Sequence, residues 1–197
     1  MKTYKEVVDK NRLVIEYDDC ESPREDTNLG YFLMKSSKYN SPDTNEELHD
    51  IMVETGEVAD DLEHHIELMT KEINKETDEK VKAIYPISYY EHGNGYFSLG
   101  TSHGFDYSNN SFYIITAKTA KEFETETDDK LYYEKIIEQE LEIYNKHFNG
   151  EVYRFTLYDE DGEAMDSCGG FYNVEDIMEY LPKEFKKEDL MEYFIYN

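Results

Sequence analysis

Residues 128–172 read DDKLYYEKIIEQELEIYNKHFNG and then EVYRFTLYDEDGEAMDSCGGFY, a helix pattern followed by an alternating strand pattern. In the first half, large apolar residues recur at spacings of four, four, three and four, which places them in one stripe along a helix. Asp128 and Asp129 favour a helix N-terminus, and Asn149-Gly150 tolerates the left-handed conformation that ends a helix. We therefore expect a helix over Asp128–Phe148. Its apolar stripe consists of Tyr133, Ile137, Leu141, Tyr144 and Phe148.

The second half alternates as a β-strand does, because successive side chains of a strand point to opposite faces. Tyr153, Phe155 and Leu157 fall on one face of this strand. The polar run Asp159–Gly162 is typical of a turn, and Glu163–Cys168 returns as a second strand. The sequence thus predicts a helix packed on a hairpin.

The remainder of the chain repeats these patterns. A second apolar stripe predicts a helix over Glu57–Glu76, with Ile66 buried. The expected fold is α+β, a mostly antiparallel sheet covered on one face by two long amphipathic helices. We expect a single domain over residues 1–197, with a polar lead-in over 1–11 and a C-terminal helical extension over 173–197. The other strand candidates are Arg12–Asp18, Leu29–Lys35, Lys80–Glu91, Tyr96–Gly100 and Ser111–Ala117.

The charge of the chain is its most unusual property. Its 46 acidic residues face 20 basic ones, for a formal net charge of −26. A magnitude of about 2–8 is enough to keep a small domain soluble, and a larger excess destabilises the compact state. Such a charge disfavours binding to nucleic acid or an anionic membrane and suits a basic protein partner. A halophilic surface is an alternative that would carry the same excess.

Other features of the composition indicate a folded intracellular protein. Aromatic residues make up 15% of the chain, with 19 Tyr and 10 Phe, which argues against disorder. The opening residues Met1–Lys5 lead into charged sequence, so we expect no secretory signal, and no apolar run reaches the roughly 20 residues that span a bilayer. Cys20 and Cys168 are too few for a disulfide framework, and we expect both thiols to be reduced and non-catalytic.

The acidic residues concentrate in three places that we predict to bind a partner. One is a loop after the first strand, one is the outer face of the helix over Asp128–Phe148, and one is the hairpin turn. On the helix, carboxylates four residues apart lie about 5–6 Å from each other. The predicted partner-binding residues are Asp18, Asp19, Glu21, Glu25, Asp26, Glu134, Glu138, Glu142, Asp159, Glu160 and Asp161.

Sites for catalysis or metals are weaker in the sequence. Cys168 lies beside Gly169-Gly170 and could act as a nucleophile with a histidine base. Neither a phosphate loop nor a dinucleotide fingerprint is present, and the DEDGE turn lacks the glutamate that ends a calcium loop. We expect no cofactor, no metal and no enzymatic activity, with a small Cys/His-dependent or metal-dependent enzyme as the alternative. The histidines considered as a base for Cys168 are His92, His103 and His147. The possible metal ligands are His64 with Asp60, His65 with Asp61, and His92, Glu91 and His103 with Asp106.

Several motifs together resemble a family of phage and mobile-element proteins. The segment Ile15–Gly30 resembles an opening that reads EYDxxxESPREWDNLG in that family, and Tyr89–Gly93 resembles its YDHSG-like segment. Residues 159–172 resemble its DEDGxxxDSCxGFY-like close, so that the similarity extends over residues 12–172. The tryptophans of the family are absent, and its HxxYxLGD segment corresponds here to Lys35–Asp43, which has no histidine.

The resemblance implies an accessory function such as defence evasion in the host cytoplasm. Combined with the charge, it favours an anti-CRISPR or antirestriction inhibitor that mimics nucleic acid and blocks the DNA- or RNA-binding groove of a host nuclease. The partner would be a basic protein, with no direct binding to nucleic acid or membrane. An acidic regulatory module for another basic host protein is a further alternative.

Overall fold

The computed structural model describes residues 3–8, 10–25 and 27–185. Within them the chain forms eight strands and five α-helices, with 3-10 turns at Pro23–Glu25 and Lys183–Phe185. The strands are β1 (Thr3–Val8), β2 (Asn11–Tyr17), β3 (Tyr31–Met34), β4 (Val81–His92), β5 (Asn94–Leu99), β6 (Tyr107–Thr116), β7 (Tyr153–Tyr158) and β8 (Ala164–Phe171). The helices are α1 (Glu46–Val58), α2 (Leu62–Glu76), α3 (Ala117–Glu122), α4 (Lys130–Phe148) and α5 (Val174–Tyr180).

The chain divides into two compact units. The first unit takes Met1–Pro23 and Lys146–Asn197, and the second takes Arg24–Asn145. Each unit has one four-stranded antiparallel sheet among the described residues.

The sheet of the first unit has the strand order β1-β2-β7-β8. Leu13 and Ile15 of β2 lie opposite Leu157 and Phe155 of β7, and all four side chains are buried. This is the alternation that the sequence predicts for β7. Burying these side chains from two neighbouring strands supplies the hydrophobic stabilisation of this unit. The core also contains Phe171, Ile177, Leu181 and Phe185.

The N-terminal residues differ from the expected polar lead-in, because Thr3–Val8 is a full strand paired with β2. Its core-facing side chains include Tyr4 and Val8, which are only partly buried, so the alternation is weak in the sequence. At the other end of the chain, α5 agrees with the expected helical extension. The second helix expected there, Lys187–Tyr196, lies outside the described residues.

The sheet of the second unit has the strand order β3-β6-β4-β5. One of its faces is covered by α1 and α2, which pack against Leu33, Phe112 and Ile114. The buried helix residues on this face are Leu48, Ile51, Met52, Met69 and Ile73.

The opposite face of the same sheet is covered by α4. Phe32 precedes Leu33 in the strand and therefore points to the other face, where its ring packs edge-on against Tyr144 at 5.4 Å. The amide of Asn145 donates to the carbonyl of Phe97 at 2.8 Å and accepts from its backbone N–H at 2.7 Å. This face also buries Tyr133, Ile137 and Leu141 of α4.

The α+β class and the antiparallel pairing are confirmed, but the expected layout is wrong. The strands form two sheets, and the two long helices lie on opposite faces of one of them. The spacing of apolar residues predicts an apolar stripe on each helix. It does not predict which sheet, or which face of that sheet, the stripe packs against. Leu141 is 3% exposed as expected, whereas Ile66 and Phe148 are only half-buried. Among the described residues, no helix has the length and apolar character needed to cross a bilayer.

Candidate functional site

An open groove of about 920 Å³ lies in the second unit, next to the 3-10 turn at Pro23–Glu25. Its lining is polar and strongly acidic. Three exposed carboxylates stand around it, and a fourth, that of Asp43, lies within it. The exposed carboxylates belong to Glu25, Glu46 and Glu122.

Arg24 is the one basic residue among those that line this groove, and its side chain is only 3% exposed. Its guanidinium donates twice to the Asp43 carboxylate, from Nη2 at 2.6 Å and from Nε at 3.1 Å. It donates also to Oε2 of Glu140 at 2.6 Å, to Oδ1 of Asn28 at 3.0 Å and to the carbonyl of Gly30 at 2.7 Å. A planar group with five donors suits this arrangement, in which the positive charge is already used within the protein.

Glu140 completes the network from α4. Its Oε1 accepts from the backbone N–H of Leu29 at 2.9 Å, and its Oε2 accepts from the Tyr113 hydroxyl at 2.5 Å. The Tyr113 oxygen in turn accepts from the backbone N–H of Gly30 at 2.9 Å. The network therefore ties the loop before β3 to β6 and to α4.

The surroundings of Arg24 and Tyr113 in this network favour the protonated form of both side chains. Burial alone would lower the pKa of Arg24, but the hydrogen bond and charge of Asp43, together with Glu140, raise it overall. Burial is the main cause that raises the pKa of Tyr113 well above its ordinary value, and the Glu140 carboxylate adds to it. Both groups therefore keep their protons, which makes Arg24 a permanent cation and Tyr113 a permanent donor.

A second buried carboxylate, that of Glu79, lies beside Tyr31 in the same unit. Glu79 is 8% exposed and accepts from Thr116 Oγ1 at 2.6 Å and from the Tyr31 hydroxyl at 3.0 Å. Lys118 Nζ lies 3.4 Å away and balances its charge. Burial, followed by the hydrogen bond to Glu79, raises the pKa of Tyr31.

Two segments on either side of β3 supply the core of the Arg24 network. Arg24, Asn28 and Gly30 all belong to Ile15–Gly30, and Asp43 ends Lys35–Asp43. A Cβ at Gly30 would lie 2.5 Å from the carbonyl oxygen of Ile114, so no larger residue fits there. These residues have a structural role in this chain.

The predicted acidic face of α4 is present in the second unit. Glu138 and Glu142 are exposed one helical turn apart, whereas Glu134 is half-buried and lies 3.7 Å from Lys130. The helix thus divides its acids, since Glu140 points inward to Arg24 while Glu138 and Glu142 face outward.

The predicted acidic loop is only partly available to a partner. Asp18 accepts a hydrogen bond from the backbone N–H of Gly170 at 2.8 Å and so fastens β8 within the first unit. Asp19 and Glu21 are exposed in that unit, while Glu25 is exposed in the second unit at the groove. Asp26 lies outside the described residues.

The predicted acidic turn is used partly by the fold. Oδ1 of Asp159 accepts from the backbone N–H groups of Asp161 and Glu163, at 3.0 and 2.9 Å, and shapes the turn between β7 and β8. Glu160 forms an ion pair with Lys10, and Asp161 is exposed.

Some of the residues considered for catalysis or metal binding lie near one another. Asp61, His65 and His103 line a pocket of about 420 Å³, and His92 Nδ1 lies 4.0 Å from Asp106 Oδ2. Cys168 is exposed on β8, and the polar contact of its Sγ among the described residues is with the carbonyl of Gly169 at 3.8 Å. Cys20 is a free thiol whose pKa is raised, mainly by burial, which reduces its reactivity. His64 Nδ1 lies 3.4 Å from Asp60, but no group of three metal-ligating side chains occurs in the part of the chain that the structure describes.

Comparisons of the chain with protein families, with curated proteins and with solved structures find no match.

Sequence reasoning missed the groove and its network. Glu25, Asp43 and Glu122 of the groove lie far apart in the chain, so their charges carry no shared pattern. The signal that could have indicated the network is Arg24, a lone arginine in an acidic loop that also carries the Asn28-Leu29-Gly30 motif. An arginine in that setting is expected to hold carboxylates together.

Proposed function

We propose that this protein is a phage-type anti-defence inhibitor, anti-CRISPR or antirestriction, that acts as an acidic nucleic-acid mimic. Its exposed carboxylates take the place of phosphates and occupy the basic groove of a nuclease effector in the host cytoplasm. The inhibitor acts by occlusion, so it needs neither a cofactor nor a catalytic group.

The observation that carries this proposal is the outward face of α4. Glu138 and Glu142 are exposed at a spacing of one helical turn, about 5–6 Å. Phosphates on one strand of duplex DNA follow each other every 3.4 Å along the axis, and the path between them is longer. Carboxylates on a helix can therefore match successive phosphates roughly one for one.

The net charge of −26 supports the same function at longer range. An excess of one sign attracts an oppositely charged partner and raises the association rate, in a way that salt weakens. The resemblance of residues 12–172 to phage and mobile-element proteins supports a setting in which such inhibitors act.

The test starts with capture of the partner from a host lysate and continues with its affinity at about 0.1 M and about 1 M salt, between which the screening length falls from about 10 to about 3 Å. We expect a steep loss of affinity and competition with nucleic acid. An affinity that hardly changes with salt, together with simultaneous binding of nucleic acid and this protein, contradicts mimicry.

Two variants of equal charge locate the contact. The first combines Glu134→Gln, Glu138→Gln and Glu142→Gln on α4. Exposed ion pairs contribute about 0.2–1 kcal/mol each, so we expect about 3- to 100-fold weaker binding. The matched control removes three exposed carboxylates from α1 and α2 instead, with Asp50→Asn, Glu54→Gln and Glu67→Gln. If both variants weaken binding equally, the α4 face is not the contact.

A further inference from the structure

A band of aromatic side chains crosses the second sheet beside the β4–β5 hairpin. Tyr90 of β4 lies opposite Tyr96 of β5 on one side and opposite Tyr107 of β6 on the other. Directly opposed residues of antiparallel strands share a face, so the three rings line one face of the sheet. The rings of Tyr90 and Tyr107 are 4.9 Å apart between centroids. We call these three tyrosines, together with Phe105 in the loop just before β6, the aromatic band.

The band lies on the face that α1 and α2 cover, beyond the end of their contact. The helices pack over Phe112 and Ile114, farther along the same sheet. Between these residues and the band the sheet carries hydroxyls, with Ser88 Oγ 2.8 Å from Ser98 Oγ and 3.2 Å from Ser102 Oγ. The apolar contact of α1 and α2 with the sheet stops at these serines. The aromatic band lies beyond them, on the side that faces solvent.

Three of the four rings of the band are exposed in the free protein, and Tyr90 is half-buried. Tyr96 is 54% exposed and Phe105 is fully exposed. Gly104 holds the adjacent loop close to the band, since a Cβ there would lie 3.2 Å from the Tyr107 ring. A contiguous exposed aromatic surface rimmed by polar groups is typical of an interaction site.

Tyrosines elsewhere in the chain contact cations. The Arg12 guanidinium lies over the Tyr158 ring at 4.6 Å, Arg24 lies over Tyr113 at 5.4 Å, and Lys38 Nζ lies over Tyr39 at 4.9 Å. Within the described residues, no lysine or arginine lies over the rings of the aromatic band, although the His92 ring stacks on Tyr90 at 6.5 Å between centroids. Asp106 lies between Phe105 and Tyr107 in the chain, and its carboxylate is 54% exposed and lies 4.0 Å from His92 Nδ1.

We propose that the aromatic band is a docking surface for arginine side chains of a protein partner. A guanidinium stacks on an aromatic face and forms forked hydrogen bonds to a carboxylate, whereas a lysine ammonium is a more strongly hydrated point charge. Bases of single-stranded nucleic acid also stack on such rings, but the net charge of −26 repels their phosphates. Phosphate mimicry requires carboxylates alone, so this surface is a function separate from it.

The test compares an oligoarginine and an oligolysine peptide of equal length by isothermal titration calorimetry. We expect the wild-type protein to bind oligoarginine about 5- to 30-fold more tightly, since a guanidinium can stack flat on the rings and form forked hydrogen bonds to Asp106, which an ammonium cannot. Tyr90→Leu with Tyr107→Leu keeps an apolar surface but removes the aromatic faces. This variant should bind oligoarginine no more tightly than oligolysine, with the oligolysine affinity unchanged.

Two further variants guard against a folding defect. Phe105→Leu changes a fully exposed side chain and should reduce the preference for arginine without affecting the fold. Tyr132→Leu, at a ring of α4 that is 37% exposed outside the band, should leave it unchanged. Equal affinities of the two peptides for the wild-type protein overturn the proposal, as does a preference that survives both band variants. Tighter binding of a thymidine oligonucleotide that the band variants abolish would assign the surface to nucleic acid instead.

Discussion

The guanidinium of Arg24 separates two carboxylates, Asp43 and Glu140, that are 12% and 14% exposed and would otherwise repel each other. Arg24→Gln leaves both charges without their cation in a partly desolvated site. Removing one partner from a buried ion pair destabilises proteins by about 3–5 kcal/mol, and we expect a loss of that size. Urea unfolding followed by circular dichroism measures it.

Lys75→Gln is the control for Arg24→Gln in the same unit. Lys75 pairs with Glu72 and Glu76 at 2.8 and 3.0 Å, but its side chain is 63% exposed. Solvent screens such a pair, so its removal should change the free energy of unfolding far less. Equal effects of the two substitutions would show that the Arg24 network adds nothing beyond a surface pair.

Tyrosine ionisation gives a second prediction for single residues. Burial is the main cause that raises the pKa of Tyr85 to about 12 and that of Tyr144 to about 12. Tyrosine in an unfolded chain titrates near pH 10. The folded state therefore holds protons that the unfolded state releases above that pH. The resulting stability is fully present below about pH 10 and is lost as the pH rises through about 12.

Alkaline denaturation measures this loss, with tyrosinate absorbance and circular dichroism recorded together. Tyr85→Phe removes one ionisable group from a site that is 7% exposed, so its stability should fall less steeply above about pH 10 than that of the wild type. Identical alkaline profiles would exclude Tyr85 as a contributor.

At the scale of elements, the packing of α1 on α2 depends on one glycine. The His65 ring of α2 binds the carbonyl of Met52 through Nε2 at 2.9 Å and packs edge-on against Phe112 at 4.8 Å between centroids. A Cβ at Gly56 of α1 would lie 2.9 Å from Cε1 of this ring. The ring lines an open pocket together with Gly56, and moving it away from an added Cβ would cost one of these two contacts.

Gly56→Ala therefore sets two effects against each other. Alanine favours a helix by about 1 kcal/mol over glycine, while leaving the Met52 carbonyl without its hydrogen bond from His65 costs about 1–3 kcal/mol. We expect a net destabilisation of about 0–2 kcal/mol, measured by urea unfolding. Glu54→Ala, at an exposed position of the same helix, should remain within about 0.5 kcal/mol of the wild type. A more stable Gly56→Ala variant would mean that His65 is not held in place.

The elements were predictable to the extent that their pattern is local. Spacing located α2 and α4, because an apolar stripe is written within each helix. The spacing placed the start of α2 at Glu57. In the structure α2 begins at Leu62, because the side chain of Asp61 caps it by accepting from the backbone N–H of His64. The spacing did not predict β1. This strand is stabilised by pairing with β2, and that pairing leaves no pattern within residues 3–8. The pairing of strands into two sheets depends on contacts between distant residues and has no local signal.

At the scale of the whole molecule, the sequence gives the net charge directly. It does not show which carboxylates stabilise the fold and which remain at the surface. Nothing in the sequence distinguishes Asp18, Asp159 and Glu140 from the other acidic residues. In the structure, Asp18 and Asp159 accept hydrogen bonds from backbone N–H groups, and Glu140 binds the buried guanidinium of Arg24. Glu138 and Glu142 differ from Glu140 only in the direction in which the helix turns them. Burial and hydrogen bonding separate structural from surface carboxylates, and these follow from tertiary contacts.

The net charge of −26 should also weaken the free protein at low ionic strength. Like charges in a compact state repel each other, and added salt screens this repulsion over a length that falls from about 30 Å at 0.01 M to about 10 Å at 0.1 M. We expect the melting temperature at pH 7 to rise with sodium chloride over that range. The gain should shrink near the isoelectric point of about 4.4, where the net repulsion vanishes. The variant with Asp50→Asn, Glu54→Gln and Glu67→Gln should melt higher than the wild type at 0.01 M and gain less from salt. A melting temperature that falls with salt would mean that ion pairs such as Lys82–Asp128, at 2.7 Å, outweigh the repulsion.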